Sequence, residues 1–410
     1  IVASQLTGTV ATSNLGTGTA DTTTFLRGDQ TYASATPAAD SITTSQLAYN
    51  PNPFRNIIIN GDMSIAQRAT SVTGITGSGY YTLDRFESVI ASAGTWTQSQ
   101  DTDVPSGQGF ATSLKMDCTT ANGSLSASSL AILRTKFEGQ MLQYLKKGTA
   151  NAESLTLSFW VKSNKTGTYI ASIYDNDNTR QISKSYTIDV ADTWEKKTIT
   201  YAGDTVGTLD NDNIKSLYLD LYLVAGSNFT SGTLQTSWGA YVAADSVPGQ
   251  VNLADSTANE FFITGVQLEA GTTASDFEFL PVDVNLARCR RYFETNFAIG
   301  TAPANGVSYT FTDFYSDLTA FTATQARITV PFKVTKRATP TITLFNLTGL
   351  GAGTTAGKWQ LYDGGSWTES SGATAADEVR NGTVQLNITD SYTIGRSYLV
   401  GGGFTASAEL

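Results

Sequence analysis

The sequence predicts a mainly β protein, in which an extended N-terminal shaft precedes an antiparallel β-sandwich (jelly roll) and a second, C-terminal β-sandwich. Three observations support this fold class: apolar and polar residues alternate in many short segments, turns rich in Gly, Asn and Asp separate those segments, and few stretches have helical spacing. The strand–helix–strand rhythm of a parallel sheet is missing. Because 410 residues exceed one ordinary core, we expect three parts: residues 1–50, 51–282 and 283–410.

Residues 1–50 differ from the rest of the chain in composition. Twelve of them are Thr, and a weak nine-residue echo places Leu6 and Leu15 at equivalent positions. One apolar residue per repeat cannot build a core within a single chain. The segment is therefore either a flexible linker or a stalk that is ordered by packing on copies of itself.

The second part predicts strands that each have one apolar face. In Ile214–Val224 the leucines at 217, 219, 221 and 223 share one face, and Tyr218, Asp220 and Tyr222 share the other. Met and Leu at helical spacing predict a short helix over Glu138–Lys147. The other strand candidates are Leu155–Val161, Tyr169–Asp175, Ser183–Val190, Trp194–Tyr201 and Phe261–Glu269.

A helix that starts at Asp283, a plausible N-cap, and runs to Arg291 marks the predicted boundary with the third part. Alternation then resumes in a second β unit. Its strand candidates are Tyr309–Tyr315, Ile328–Val334, Thr341–Phe345 and Val384–Ile388.

The composition excludes several classes of function. The chain has no His, which removes Ser-His-Asp and Cys-His nucleophiles, His-ligated metal sites and a His general base. Neither GxxxxGK(S/T) nor GxGxxG occurs, so the common phosphate-binding loops are missing. The net charge of −10 argues against nucleic acid as a partner. No apolar run approaches the ~20 residues of a membrane span, so we expect no membrane insertion.

Several phrases of the sequence, in order, resemble bacteriophage tail fibres. Residues 14–20 (NLGTGTA) and 24–32 (TFLRGDQTY) are similar to a phrase of fibre shafts, and residues 56–63 (NIIINGDM) resemble the opening of a fibre jelly-roll domain like those of carbohydrate-binding modules. Residues 155–163 (LTLSFWVKS) and 265–271 (GVQLEAG) resemble later parts of that domain, and residues 286–294 (LARCRRYFE) resemble its exit. The resemblance implies a tail fibre of the cyanophage or marine podovirus kind.

Two features raise the question of a metal. Modules of this shape often hold a structural calcium with two carboxylates; Asp62 matches the first, but Gly265 stands where the second is expected. The runs Asp175–Asn178 and Asp210–Asn213 offer clustered oxygens that suit calcium, yet the same residues also favour hairpin turns. We favour turns and expect neither a metal nor a cofactor.

Exposed aromatic rings are the candidates for ligand binding, because a flat ring can stack on the apolar face of a sugar. For the strand residues among them, packing in the core or between subunits is the favoured role and ligand binding is the alternative. Residues 225–249 form a long polar connection that we expect to be the main binding loop. The candidates are Trp160, Tyr218 and Tyr222 on strands, Trp238 and Tyr241 in that connection, and Trp359 and Trp367 near the C-terminus.

The leading hypothesis is a non-catalytic receptor-binding tail fibre, located in the virion and assembled in the host cytoplasm. Its partners would be host lipopolysaccharide or another surface polysaccharide, and other tail or neck proteins at the N-terminal end. The apolar residues of the shaft suffice for a threefold seam, which predicts a parallel homotrimer. One alternative is a purely structural head fibre, capsid decoration or spacer. Another is a capsule hydrolase, which needs two carboxylates about 5–9.5 Å apart; since no acid pair stands in a recognisable motif, we do not expect an enzyme.

Overall fold

Antiparallel strands dominate the computed structural model of the protein, which confirms the mainly β fold class. The structure describes residues 24–26, 32–34, 54–308, 315–349 and 355–410. The chain divides into two units, Ile1–Phe54 and Arg55–Leu410. In the first unit, strands β1 (Thr24–Leu26) and β2 (Tyr32–Ser34) pair as an antiparallel hairpin. The remainder of the predicted shaft lies outside the described residues.

The first part of the second unit is built from two six-stranded sheets. Its strands are β3 (Ser71–Ile75), β4 (Glu87–Ala91), β5 (Thr95–Asp101), β6 (Ser113–Thr120), β7 (Leu130–Glu138), β8 (Leu155–Ser163), β9 (Gly167–Asp175), β10 (Arg180–Ile188), β11 (Glu195–Tyr201), β12 (Lys215–Ala225), β13 (Gly239–Ala240) and β14 (Glu260–Ala270). Sheet A has the order β13-β10-β9-β12-β7-β4, and sheet B has the order β11-β8-β14-β6-β5-β3. A four-residue helix, α1 (Ser227–Thr230), follows β12.

The main core lies between sheets A and B. The four leucines of β12 are buried on one side, and Leu157, Phe159 and Val161 of β8 are buried on the other. Rings meet across the two sheets: Phe159 lies 5.1 Å from Tyr186 and Tyr169 lies 5.8 Å from Phe261. In β8 and β12 the alternation in the sequence therefore indicates which face is turned towards the main core.

The predicted helix at Glu138–Lys147 is wrong. The segment forms two 3₁₀ turns, Gly139–Met141 and Gln143–Leu145, and ends at Lys146 in the left-handed conformation (φ 52°). The backbone N–H groups of residues 139 and 140 donate to carbonyl groups of residues 214 and 212 at 3.1 and 2.8 Å. These bonds tie the segment to the loop before β12.

Helix α2 (Val282–Arg290) confirms the second predicted helix, although it begins one residue earlier, after Pro281. None of the helices among the described residues is long and apolar enough to cross a membrane.

The rest of the unit adds further sheets around a second core. The strands are β15 (Phe293–Thr295), β16 (Val307–Ser308), β17 (Tyr315–Ala320), β18 (Gln325–Pro331), β19 (Thr341–Phe345), β20 (Leu347–Thr348), β21 (Gln360–Tyr362), β22 (Trp367–Glu369), β23 (Ala375–Val379), β24 (Thr383–Thr389), β25 (Ser397–Gly401) and β26 (Gly403–Ser407). Sheet C has the order β22-β21-β25-β17-β18-β24-β23, and sheet D the order β15-β26-β19. Three predicted strands correspond to β18, β19 and β24; of the fourth, residues 309–314 lie outside the described residues. The boundary at residue 283 stays a prediction.

The C-terminal segment returns from β26 to the first sandwich. The carboxylate of Glu409 accepts hydrogen bonds from Arg68 Nη2 at 2.9 Å and from Arg85 Nη1. Arg337 Nη2 donates to the backbone oxygen of Glu409 at 2.6 Å. Leu410 packs on a small buried cluster that includes Tyr292. Buried charge and apolar contact together hold this segment against the first sandwich.

Candidate functional site

A cleft of about 210 Å³ lies on the outer face of sheet A, the face turned away from the main core. Strands β7, β9, β10 and β12 and the segment after β13 supply its side chains. The lining residues are Arg134, Ser172, Tyr174, Gln181, Tyr218, Asp220, Tyr222 and Tyr241.

The pairing register of sheet A brings these side chains together. Asp220 of β12 lies between Arg134 of β7 and Ser172 of β9, because both are its direct cross-strand partners. Tyr218 pairs in the same way with Tyr174. Since side chains alternate between the two faces of a strand, Tyr218, Asp220 and Tyr222 of β12 all project into the cleft.

Tyrosine rings form one side of the cleft. The rings of Tyr174 and Tyr218 lie 5.5 Å apart with an interplanar angle of 32°, and Tyr241 meets Tyr174 edge-on at 5.3 Å and 88°. Tyr218 and Tyr222 are buried, whereas Tyr241 is 37% exposed. Burial raises the pKa of Tyr222, and the charge of Asp220 raises it further. Tyr222 therefore keeps a neutral hydroxyl.

An ion pair forms the polar part of the cleft floor. Arg134 Nε and Nη2 donate to the two carboxylate oxygens of Asp220 at 2.7 and 2.8 Å. Burial opposes the charge on Arg134, but Asp220 outweighs burial and raises the pKa of the guanidinium. The same guanidinium lies 4.8 Å from the ring centre of Tyr218. Its Nη1 makes no hydrogen bond to any of the described residues, so this donor can serve a ligand.

Residues 226–250 form a wall of the cleft. Phe229, Leu234 and Val247 pack on Ile132 and other apolar residues of the outer face of sheet A. Gln181 of β10 donates to the Gln235 side chain at 2.9 Å and so ties the wall to the sheet. The backbone N–H of Tyr241 donates to the carbonyl of Thr179 at 3.0 Å, which places the Tyr241 ring beside Tyr174. The predicted binding loop is thus a packed segment that presents one aromatic ring.

The structure brings together only part of the predicted site. Tyr218, Tyr222 and Tyr241 line the cleft, but Trp238 does not. Trp238 is half-buried, its indole Nε1 donates to the carbonyl of Ala202 at 2.7 Å, and it packs on the main core.

The other three predicted residues lie elsewhere. Trp160 is on the outer face of sheet B. Trp359 is fully buried in the second core, which corrects the expectation that it stacks on a ligand. Trp367, on β22, packs against Tyr362 with ring centres 5.5 Å apart.

Sequence reasoning missed Arg134, Ser172, Tyr174 and Gln181. Tyr174 and Ser172 belong to a strand that was predicted, so the alternation that selected Tyr218 would have selected them too. Arg134 lies in β7, whose run LAILRTKFE is apolar on both faces and gives no clear alternation.

The residues at the expected calcium position do not fit a cation. Asp62 Oδ1 accepts hydrogen bonds from Ser64 Oγ and from the Asn285 amide nitrogen, both at 3.0 Å. An amide N–H aimed at the carboxylate competes with a cation, and Gly265 supplies no side-chain oxygen.

Of the two Asp/Asn runs, the first forms a turn. In the second, Asp212 Oδ1 accepts from the backbone N–H of Ile214 at 2.9 Å. Asp175 Oδ1 accepts from the backbone N–H of Asn178 at 3.1 Å, and its other oxygen pairs with Lys147. In the described part of the chain, no group of three or more His, Cys, Asp or Glu side chains is placed to hold a metal.

Comparisons with known proteins show weak structural similarity only. No protein-family model matches the chain, and no curated protein matches it. Similar solved structures include the enzymatically active domain of tailspike protein 4 from bacteriophage CBA120 (TM-score 0.27, 13% identity, 53% of this chain and 22% of that chain). They also include TmCBM61 in complex with β-1,4-galactotriose (0.24, 12%, 53% and 99%). A third is a family 11 carbohydrate-binding module from Clostridium thermocellum in complex with a mixed-linked tetrasaccharide (0.23, 12%, 50% and 99%). The chain thus spans about a fifth of the tailspike chain, and scores this low establish neither a family nor a function.

Proposed function

We propose that the protein is a non-catalytic glycan-binding protein and that polysaccharide binds in the cleft on sheet A. The observation that carries the proposal is the combination of a partly exposed tyrosine surface, Tyr174 with Tyr241, and the fixed Arg134–Asp220 ion pair. Tyrosine rings pack on the apolar face of a pyranose, while a guanidinium donates hydrogen bonds to its hydroxyl groups. Because protein contacts already hold these groups, little rotamer entropy is lost on binding.

The chemistry of the cleft favours binding over hydrolysis. A glycosidase needs two carboxylates about 5–9.5 Å apart. Among the described residues that line the cleft, Asp220 is the only carboxylate, and both of its oxygens are engaged by Arg134. Such a group is poorly suited to serve as a general acid or as a free nucleophile, which supports the non-catalytic reading.

The biological role we propose is attachment of a phage virion to a host surface polysaccharide, with the chain as a trimeric tail fibre. Support for this part of the proposal comes from the ordered fibre phrases between residues 14 and 294 and from the repeats in residues 1–50. Tail or neck proteins would bind the N-terminal end.

Binding to immobilised bacterial lipopolysaccharides and capsular polysaccharides tests the cleft. Tyr241→Ala is expected to weaken binding by about fivefold, since ring stacking contributes roughly 1 kcal/mol. Tyr144→Ala removes another tyrosine, 49% exposed and outside the cleft, and should leave binding unchanged. A structural spacer would bind none of the polysaccharides, and a hydrolase would release reducing ends from them.

Light scattering tests the trimer. The full chain should give a mass near three times 43.6 kDa, and removal of residues 1–50 should lower it without unfolding the second unit. A monomer or dimer of the full chain would contradict the proposed fibre.

A further inference from the structure

A second groove, of about 320 Å³, lies on the outer face of sheet B. Its volume is within the usual range of small-molecule sites. Trp160 of β8 forms its floor, with Lys196 of β11 directly opposite in the pairing register. Because sheet B packs on the other side of the main core, this groove and the cleft on sheet A share no lining residue.

A β-bulge shapes the apolar wall of the groove. The pairing of β14 with β8 loses register between Thr264 and Gln267, and Gly265 in this bulge has a φ of +62°. A Cβ atom at residue 265 would lie 2.6 Å from Cζ of Phe110, so only glycine lets that ring lie over the bulge. Phe110 in turn packs on Phe277 and Phe279, with ring centres 5.1 Å away in each case. The wall is firmly packed, and yet Phe279 is 50% exposed.

Trp160 differs from three other tryptophans of the chain. Trp96, Trp194 and Trp238 each donate their indole N–H to a protein oxygen, at 2.8, 2.9 and 2.7 Å. The partly exposed Trp160 has neither a hydrogen bond nor a ring contact among the described residues. Its ring face and its N–H are therefore both available within the groove.

Two unpaired charges of opposite sign also line the groove. Lys196 forms no ion pair or hydrogen bond with the described residues, whereas its neighbour Lys197 pairs with Asp189 at 3.0 Å. The side-chain carboxylate of Asp276 has no such partner either. An apolar ligand would remove water from both charged groups and offer no hydrogen bonds in its place, and this desolvation is costly. An anionic ligand would be repelled by Asp276, and a cationic ligand would be repelled by Lys196.

We propose that this groove is a second carbohydrate site, specific for a neutral pyranose that stacks on Trp160. Hydroxyl groups both accept and donate hydrogen bonds, so one sugar ring can accept from Lys196 and donate to Asp276. Two sites on opposite faces let one protein molecule hold two stretches of polysaccharide, and such linkage raises avidity by roughly 10²–10⁴.

The test uses full-length protein labelled with 5-fluorotryptophan, with the Trp160 ¹⁹F resonance assigned by its loss in Trp160→Phe. Cellohexaose, xylohexaose and mannohexaose are the neutral ligands, and oligogalacturonate is the anionic one. At least one neutral hexaose should shift the Trp160 resonance. Trp160→Ala and Lys196→Ala should each weaken that binding step by about tenfold. Trp194→Ala, at a tryptophan bonded to Asp103, should not weaken it.

The design separates this site from the cleft. If Tyr241→Ala abolishes a different binding step and leaves the Trp160 shift intact, both sites are supported. A Trp160 shift with no step that depends on Tyr241 supports the groove and contradicts the cleft. A Trp160 resonance unmoved by every neutral hexaose at millimolar concentration, or moved only by oligogalacturonate, overturns the second site whatever the cleft does. Lys196, an exposed residue, keeps the test valid should Trp160→Ala fail to fold.

Discussion

Glu409→Gln should destabilise the protein far more than its place near the C-terminus suggests. The carboxylate of Glu409 compensates the guanidinium of Arg85, whose side chain is only 2% exposed. Removing one partner of a buried ion pair leaves an uncompensated charge in the interior, which typically costs about 3–5 kcal/mol. The neutral amide can still accept a hydrogen bond but carries no charge.

The structure places this prediction at the lower end of that range. Arg85 keeps a hydrogen bond from Nη2 to the carbonyl of Lys136 at 2.8 Å, and its guanidinium lies 3.5 Å from the ring centre of Tyr292. Arg68 keeps its ion pair with Asp84, in which Nη1 lies 3.3 Å from Oδ1. We therefore expect the free energy of unfolding to fall by about 3 kcal/mol.

Urea titration followed by tryptophan fluorescence measures the loss. Glu378→Gln breaks an exposed pair with Arg380 and should cost no more than about 0.5 kcal/mol, which makes it the matched control. The double variant Arg85→Met/Glu409→Leu removes both charges and should recover most of the stability. A loss below about 1 kcal/mol for Glu409→Gln would refute the idea that Glu409 compensates Arg85.

Three further predictions concern single side chains. Burial raises the pKa of Asp84 to about 6 from 3.8, so the protonated form is favoured in the folded state; its stabilisation is complete below pH 3.8 and is lost as the pH rises through about 6. The difference corresponds to about 3 kcal/mol of unfolding free energy, and Asp84→Asn should remove a pH dependence of that size between pH 4 and 7 in urea titrations. A pH profile unchanged in Asp84→Asn would show that other groups cause it. Trp238→Ala should lower the unfolding free energy by more than about 1 kcal/mol and leave polysaccharide binding in the cleft intact; the reverse pattern would return Trp238 to the binding site. Gly265→Ala should cost about 1–3 kcal/mol, from the positive φ and the contact with Phe110, and a wild-type urea midpoint would mean that the bulge relaxes easily.

The alternation of leucine and tyrosine in β12 predicted both the buried face and the floor of the cleft, because period two depends only on the local pleat. The role of Trp238 could not be predicted in this way. Residues 225–249 are polar on average, but their few apolar side chains, such as Phe229 and Val247, pack on sheet A and so turn a presumed loop into a wall. The helical spacing after Glu138 was misleading in a similar way, because it carries no information about the bonds to residues 212 and 214 or about the left-handed conformation of Lys146 that ends the segment.

The return of the C-terminal segment has a mechanical consequence. The chain leaves the first sandwich through α2 and contacts it again at Glu409 and Leu410. Residues 293–407, which lie between these two points, are therefore anchored at both ends. A body held at one end can swing about its tether, whereas one held at both ends can turn only if an anchor breaks. Here the second anchor includes a buried ion pair, and rotation would expose it to water. Torque applied to the first sandwich is therefore transmitted to residues 293–407 through two attachments.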